Sequence, residues 1–190
     1  MVRLRQTLKY KYIKSKQTRG DTFYQSVPVK ISIFLNPYKF ILLAPLVFVF
    51  HVAEEAPGFV SWVNTLIDRD ITLSLFLSVN LTGFVIVSGL CMLTAVTKEK
   101  VITLITLAWL GFMMFANALF HILATLVYQQ YAPGTITSVI LYLPFVFWYS
   151  RLLIRTTGMK LITVISTLVI GAIPMAIHGY LIIFAGSRLF

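Results

Sequence analysis

Residues 71–96 read ITLSLFLSVNLTGFVIVSGLCMLTAV, a run of 26 residues without a charged side chain. An α-helix rises about 1.5 Å per residue, so about 20 apolar residues cross the ~30 Å hydrocarbon layer of a bilayer. The run is therefore long and apolar enough to form one membrane-spanning helix.

Four further apolar runs of similar length lie near residues 38–57, 101–128, 135–156 and 160–185. The segments between them carry turn-forming or charged residues, as in Ala56-Pro57-Gly58 and Lys98-Glu99-Lys100. This alternation predicts an all-α fold, a polytopic membrane bundle of five transmembrane helices. For the first run an alternative stays open, in which the helix begins near Ile31 and leaves the acidic pair at 54–55 among the headgroups.

The composition agrees with a membrane protein, because 58% of the residues are hydrophobic, only 12% are charged, and the mean hydropathy is +0.88. These values exclude an ordinary soluble domain and a disordered chain. The net charge of +10 comes largely from basic residues crowded into the first twenty positions. We expect this charge to meet anionic lipid headgroups of the bilayer and not nucleic acid.

The distribution of Lys and Arg also predicts an orientation, since basic residues are retained on the cytoplasmic side. With the N-terminus inside, 14 of the 16 basic residues fall on the inner side. We therefore expect the N-terminus in and the C-terminus out, in the cell membrane. Residues 1–37 would form a basic cytoplasmic tail with an interfacial segment at 27–35, and residues 38–190 the transmembrane domain.

The three histidines of the chain all fall inside the apolar runs, and two glutamates closely follow the first of them. Ionisable groups in a bilayer cost roughly 2.5–3.5 kcal/mol each and persist mainly where they serve a function. Counting from the inner helix ends gives depths of about 20, 26, 30 and 26 Å for four of these side chains. They are His51, Glu55, His121 and His178. All four are expected in one layer in the outer half of the membrane.

The spacing on the first helix suits a metal, because residues three and four positions after His51 share its helix face. Imidazole and carboxylate are standard zinc ligands. We predict a divalent metal, zinc first, among His51, Glu55, His121 and His178. The sequence His-x-x-Glu-Glu is also similar to the inverted zinc-peptidase motif His-x-x-Glu-His, which implies Glu54 as general base and Glu55 as ligand.

Several neighbouring residues are candidates for a supporting role. Asn117 lies one turn before His121, and Asn80 falls in the same layer on the second helix. Each amide either holds helices together or orients a metal ligand. The outer segment containing Tyr131, Pro133 and Gly134 is either a tight turn or a gate over the site, and Gly179 follows His178.

Residues 51–55, His-Val-Ala-Glu-Glu, resemble the defining motif of the HXXEE family of small multi-pass membrane proteins. The later elements of that family are matched in order by Asn117-x-x-x-His121, Tyr131-Ala132-Pro133-Gly134 and His178-Gly179. The similarity covers roughly residues 40–185. It supports the choice of site residues and the helical architecture but implies no particular reaction.

Three functions fit this pattern. The leading interpretation is a metal-dependent hydrolase that acts on a lipid or a membrane peptide, with Glu54 as general base. A transporter or proton-translocating protein could use the same His/Glu cluster, and five helices would then require a homo-oligomer to enclose a path. A non-catalytic scaffold would use the polar residues only to lock helices together.

Overall fold

The structure is a computed structural model and describes residues 36–66 and 70–185. Most of these residues are helical. Within these ranges the chain forms six helices. They are α1 (Pro37–Glu55), α2 (Phe59–Leu66), α3 (Leu73–Thr97), α4 (Lys100–Tyr128), α5 (Thr135–Thr157) and α6 (Leu161–Phe184). All except α2 are long and apolar enough to cross a membrane, which confirms the predicted five-helix membrane bundle.

Helix α1 begins at Pro37 because the preceding residue caps it. Asn36 is extended, and its side-chain oxygen accepts a hydrogen bond of 2.9 Å from the backbone amide of Tyr38. Proline at the first helical position loses no hydrogen bond. The alternative in which one helix runs from Ile31 through this point is therefore wrong, and α1 must include Glu54 and Glu55 to reach its full length.

The short helix α2 was not predicted, since eight residues are too few to cross a bilayer. Its apolar face buries Trp62, Val63 and Leu66. Asn64 fixes the chain that follows, because its side chain donates to the carbonyl of Ile71 and accepts from the amide of the same residue, at 2.9 and 2.8 Å. Helix α2 thus covers the end of the bundle where α1 finishes.

Helices α4 and α6 pack with their backbones in direct contact, and glycine makes this approach feasible. A Cβ atom added to Gly171 would lie 1.9 Å from the carbonyl oxygen of Ala108. One added to Gly111 would lie 2.4 Å from the carbonyl oxygen of Leu168. Small residues allow such close packing in a membrane, where the hydrophobic effect does not drive helices together because the lipid is itself apolar.

Two of the long helices contain an internal π-helical turn, over Gly111–Ala116 in α4 and Ser138–Tyr142 in α5. Such turns insert an extra residue per turn, rotate the face that follows and occur often at functional sites. In α4 the turn ends immediately before Asn117, so it sets the direction in which that residue and His121 point. In α5 it ends at Tyr142, which is fully buried.

Helix α6 lies at the edge of the bundle, with only 6% of its apolar span buried within the protein. Its side chains are therefore available to lipid. The predicted tail and the interfacial segment at 27–35 lie outside the described residues. The orientation of the chain in the membrane stays a prediction.

Candidate metal centre

Two histidines and one glutamate meet inside the bundle near the end of α1. Nε2 of His121 lies 2.9 Å from Oε1 of Glu55, and Nε2 of His51 lies 3.5 Å from the same oxygen. All three side chains are buried, with at most 6% of any of them exposed. One ligand atom from each residue lies within 4.8 Å of the other two.

Helix geometry explains how these residues come together. His51 and Glu55 are four residues apart on α1, so they share one face. His121 faces them from α4, seven residues before that helix ends at Tyr128, which is about 10 Å of helical rise. The rings of His51 and His121 are 5.1 Å apart in an edge-to-face arrangement.

The donor set fits a metal ion. Neither ring nitrogen of His121 makes a hydrogen bond of normal geometry within the described residues, although both are buried and Nε2 is close to Glu55. Buried nitrogens without partners are rare and call for a ligand or a water. Two ligand atoms bonded to one zinc ion are at most about 4.2 Å apart, close to the spacing present here.

Three residues surround the His51 ring. Its Nδ1 atom lies 2.8 Å from Oγ1 of Thr137, and its Nε2 atom lies 3.2 Å from the side-chain nitrogen of Asn117. The ring of Tyr142 is packed against it at a centroid distance of 4.1 Å. A hydrogen bond to the far nitrogen is the usual way in which proteins orient a metal-binding histidine.

The segment between α4 and α5 closes over the cluster at Gly134. This residue has a φ of +100°, and an added Cβ atom would lie 2.8 Å from Cε1 of His121 and 3.0 Å from Cγ of Glu55. Glycine is therefore needed here both for its backbone conformation and for space. Pro133 fixes the other side of the segment by packing against Gly58.

Glu54 is not one of these three residues and instead caps helix α5. Its carboxylate accepts hydrogen bonds from the backbone amides of Gly134 and Ile136 at 3.1 Å and of Thr137 at 2.7 Å. The hydroxyl of Tyr131 donates to it as well. These amides are among those that a helix N-terminus leaves unpaired, and a negative charge there is favourable. The end of α1 is thereby fastened to the start of α5.

Residues 42–149, more than half of the chain, match a family described as "Protein of unknown function with HXXEE motif". The chain belongs to the HXXEE family. No curated protein and no solved structure matches it. The matched region of this HXXEE protein contains every residue of the buried cluster and the segment that closes over it.

The predicted resemblance extended to residue 185, whereas the family match ends at residue 149. His178 lies beyond that limit on the edge helix α6. Its side chain is exposed, and it is not part of the buried group of three. The structure thus brings together His51, Glu55 and His121 but not the fourth predicted ligand. Depth along a helix was predicted, but the rotation of α6 about its axis was not.

The other predicted supporting residues take different positions. Gly179 is buried against Phe120, the neighbour of His121. Asn80 donates a hydrogen bond to the carbonyl of Phe76 on its own helix and lines a cavity of about 380 Å³ between α1 and α3. It does not contact the cluster. Asn117 contacts the cluster through the His51 ring.

Sequence reasoning missed three residues of the site. Thr137 and Tyr142 contact the His51 ring, and the ring of Phe59 on α2 lies 5.9 Å from that of His121. Thr137 is three residues after Gly134, so its nearness to a predicted gate was the available signal. No spacing rule connects it to a histidine 86 residues earlier.

Proposed function

We propose that this HXXEE protein is a membrane metalloenzyme, a hydrolase that binds one divalent metal ion through His51, Glu55 and His121. The supporting observation is the meeting of these three ligand atoms from two helices in a fully buried position. Zinc is the first candidate, because two imidazoles and a carboxylate are a known catalytic zinc set.

Three protein ligands leave one coordination position open, as catalytic zinc sites require. The predicted set of four would have filled a tetrahedral ion, and the exposed position of His178 removes that difficulty. When bound, the metal would lower the pKa of a water molecule toward ~7 and so supply a hydroxide nucleophile. The protein residues around it would orient the ligands and exclude bulk water.

We infer that Glu54 is a positioning residue. Three backbone amides and one phenol already donate to its carboxylate, so most of its acceptor capacity is in use. Those donors stabilise the ionised form and weaken it as a base. Its role as general base, which the zinc-peptidase analogy implies, stays a prediction. The contacts favour a role in holding Thr137 and Gly134 against the metal ligands.

The substrate that we propose is a lipid or a membrane peptide. The cluster lies close to the end of the bundle, beneath a segment whose Tyr131 is half exposed. A molecule that reaches this depth from the side or from the adjacent surface would itself be partly embedded in the bilayer. Displacement of the segment around Gly134 would be needed to admit it, since even an added Cβ atom at Gly134 would lie within 3.0 Å of both His121 and Glu55.

Elemental analysis tests the metal site directly. The protein is purified in detergent without a histidine tag and without chelator, beside the variants His121→Ala and His178→Ala. We expect near-stoichiometric zinc, iron or manganese in the wild type and in His178→Ala, and a loss of at least tenfold in His121→Ala. The His178 variant is the matched control, because it removes an imidazole outside the cluster.

Two results would overturn this proposal. Absence of metal from the wild type, even after incubation with zinc, would exclude the metalloenzyme. Equal metal loss in both histidine variants would mean that the ion binds elsewhere. With a metal established, turnover of fluorogenic lipid esters, amides and membrane peptides by the wild type, and its loss in His121→Ala, would test the hydrolase.

A second candidate is proton translocation through the same cluster. It is favoured by four hydroxyl groups of α5 that are buried without a hydrogen-bond partner in the described ranges, those of Ser138, Tyr142, Tyr149 and Ser150. Buried polar atoms of this kind commonly bind ordered water. A pH-sensitive dye inside proteoliposomes would detect a proton flux along such a path. A proton flux through the wild type equal to that through the Glu55→Gln variant would exclude it.

A further inference from the structure

A groove of about 580 Å³ runs along the outside of the bundle between α5 and α6, and Phe115 of α4 also lines it. Apolar side chains line most of it. They are Leu143, Val146, Phe147, Ile154, Leu161, Val164, Ile165 and Leu168. On α5 the lining extends from Leu143 to Arg155, which is about 18 Å of helical rise. The groove is thus long and apolar, which suits a hydrocarbon chain.

One end of this groove is positively charged. Arg151 and Arg155 both line it, one helical turn apart, and both side chains are exposed. Neither guanidinium forms a salt bridge with a carboxylate among the described residues. Guanidinium groups bind phosphate through two parallel hydrogen bonds, which makes an unpaired pair of arginines a suitable phosphate site.

The surroundings make an anion the expected occupant of that end. Lys39, Lys98, Lys100 and Lys160 lie at the same end of the bundle, where α1, α4 and α6 begin. Among the described residues, Glu99 is the one acidic residue at this end, between Lys98 and Lys100, whereas Glu54 and Glu55 lie at the opposite end. The chain's own tail is strongly basic, so it would be repelled from the arginines.

A third feature lies between the apolar and the charged parts of the groove. The hydroxyl of Ser150 lines it, is buried, and has no hydrogen-bond partner in the part of the chain that the structure describes. Serine hydroxyls inside membrane helices usually bond to the carbonyl one turn earlier. A hydroxyl left unpaired beside the arginines can donate to an ester or phosphate oxygen.

We propose that this groove binds an anionic phospholipid, with an acyl chain between α5 and α6 and the phosphate between Arg151 and Arg155. None of the residues that line this groove is a proposed metal ligand, and its arginine end lies at the opposite end of the bundle from the metal centre. Its apolar end reaches Leu143, the residue after Tyr142. Basic pockets between membrane helices bind anionic headgroups in this way. The lipid would lie beside α6, which has the smallest buried share of the five spans.

Native mass spectrometry of the protein with phosphatidylglycerol and, separately, phosphatidylcholine tests the site. The variant Arg151→Gln/Arg155→Gln is compared with Lys98→Gln/Lys100→Gln, which removes the same charge at the same end of the bundle but outside the groove. We expect one phosphatidylglycerol molecule to be retained by the wild type and by the lysine variant. In the arginine variant its apparent affinity should fall about tenfold or more.

A second variant tests the groove without changing any charge. Ile165→Trp places a large ring in the lining at a position that is 46% exposed, so we expect the variant to fold. It should reduce phosphatidylglycerol retention, whereas a nonspecific attraction of headgroups to arginine would be unaffected. Unchanged retention in Ile165→Trp, equal loss in both charge variants, or equal retention of phosphatidylcholine would each overturn the proposal.

Discussion

Nδ1 of His51 lies 2.8 Å from Oγ1 of Thr137, so a hydrogen bond joins the end of α1 to the first turn of α5. In a neutral imidazole, a proton on Nδ1 leaves the lone pair on Nε2. That is the nitrogen close to Glu55. Because the Thr137 hydroxyl donates to the carbonyl of Gly134, it can accept from Nδ1 and leave the Nε2 lone pair for the Asn117 amide or for a metal ion.

We expect Thr137→Val to weaken metal binding 10–100-fold, because it keeps the shape of the side chain but removes the acceptor that holds the His51 ring. Competition with a fluorescent zinc chelator measures the affinity. Thr137→Ser retains the hydroxyl and should restore at least most of the binding. An affinity that is equal in the valine variant and the wild type would show that Thr137 does not orient His51.

We expect Glu54→Gln to lower the free energy of unfolding by about 1–2 kcal/mol, because an amide replaces one acceptor oxygen and places N–H groups beside backbone amides. Metal affinity should fall as well, since Thr137 and Gly134 lose their attachment to α1. Reversible unfolding in mixed detergent micelles gives the first quantity and chelator competition the second.

The matched control for this substitution is Glu99→Gln, whose exposed carboxylate makes no hydrogen bond within the described residues. It should leave both quantities unchanged. If Glu54→Gln instead kept its stability and its metal but lost all turnover, Glu54 would be the general base of the zinc-peptidase analogy and not a helix cap.

The membrane helices could be predicted closely because length and hydropathy determine them. The five observed spans end within two residues of the predicted ones. The shared layer of His51, Glu55 and His121 was predicted from depth along the helices, and the structure shows that these three side chains also meet. Helix rotation does not follow from depth, which is why His178 was predicted among the ligands although it lies on an exposed face of α6.

Contacts that depend on loop conformation could not be predicted from the sequence. The capping of α5 by Glu54 requires the segment before Gly134 to fold back across the end of α1, and no periodicity predicts that path. The π-helical turn before Asn117 could not be predicted either, because it rotates part of α4 and no pattern of residue types marks it.

We expect Gly134→Ala to abolish metal binding. The methyl group would lie 2.8 Å from Cε1 of His121 and 3.0 Å from Cγ of Glu55, so the ligands would have to separate. Gly158→Ala is the matched control, because Gly158 also has a positive φ, +72°, but no atom within contact distance of an added Cβ. Both variants incur the backbone cost of about 1–2 kcal/mol. Metal analysis of both should separate them, and equal metal contents would contradict the proposed closure over the site.

We expect Gly171→Ala to destabilise the bundle by about 1–3 kcal/mol, because its Cβ atom would overlap the carbonyl of Ala108 and push α6 away from α4. Gly89→Ala adds the same methyl group to an exposed position of α3 with no neighbour, and should be neutral or slightly stabilising. Unfolding in increasing fractions of SDS measures both. Similar values for the two variants would mean that α4 and α6 do not pack through these glycines.

We expect Tyr131→Phe to lower thermal stability by an amount that does not change between about pH 6 and pH 9. Partial burial and the hydrogen bond to the Glu54 carboxylate raise the pKa of the Tyr131 phenol to about 12, above the value of about 10 in an unfolded chain. Because the folded pKa is the higher one, the contribution of the phenol is complete below about pH 10 and is lost as the pH rises through the folded pKa. Melting curves of the wild type and the variant across this range give the difference, and Tyr180→Phe, at an exposed hydroxyl on α6, should show none. A difference that shrinks between pH 7 and pH 9 would mean that the phenol already ionises there and does not hold Glu54 in place.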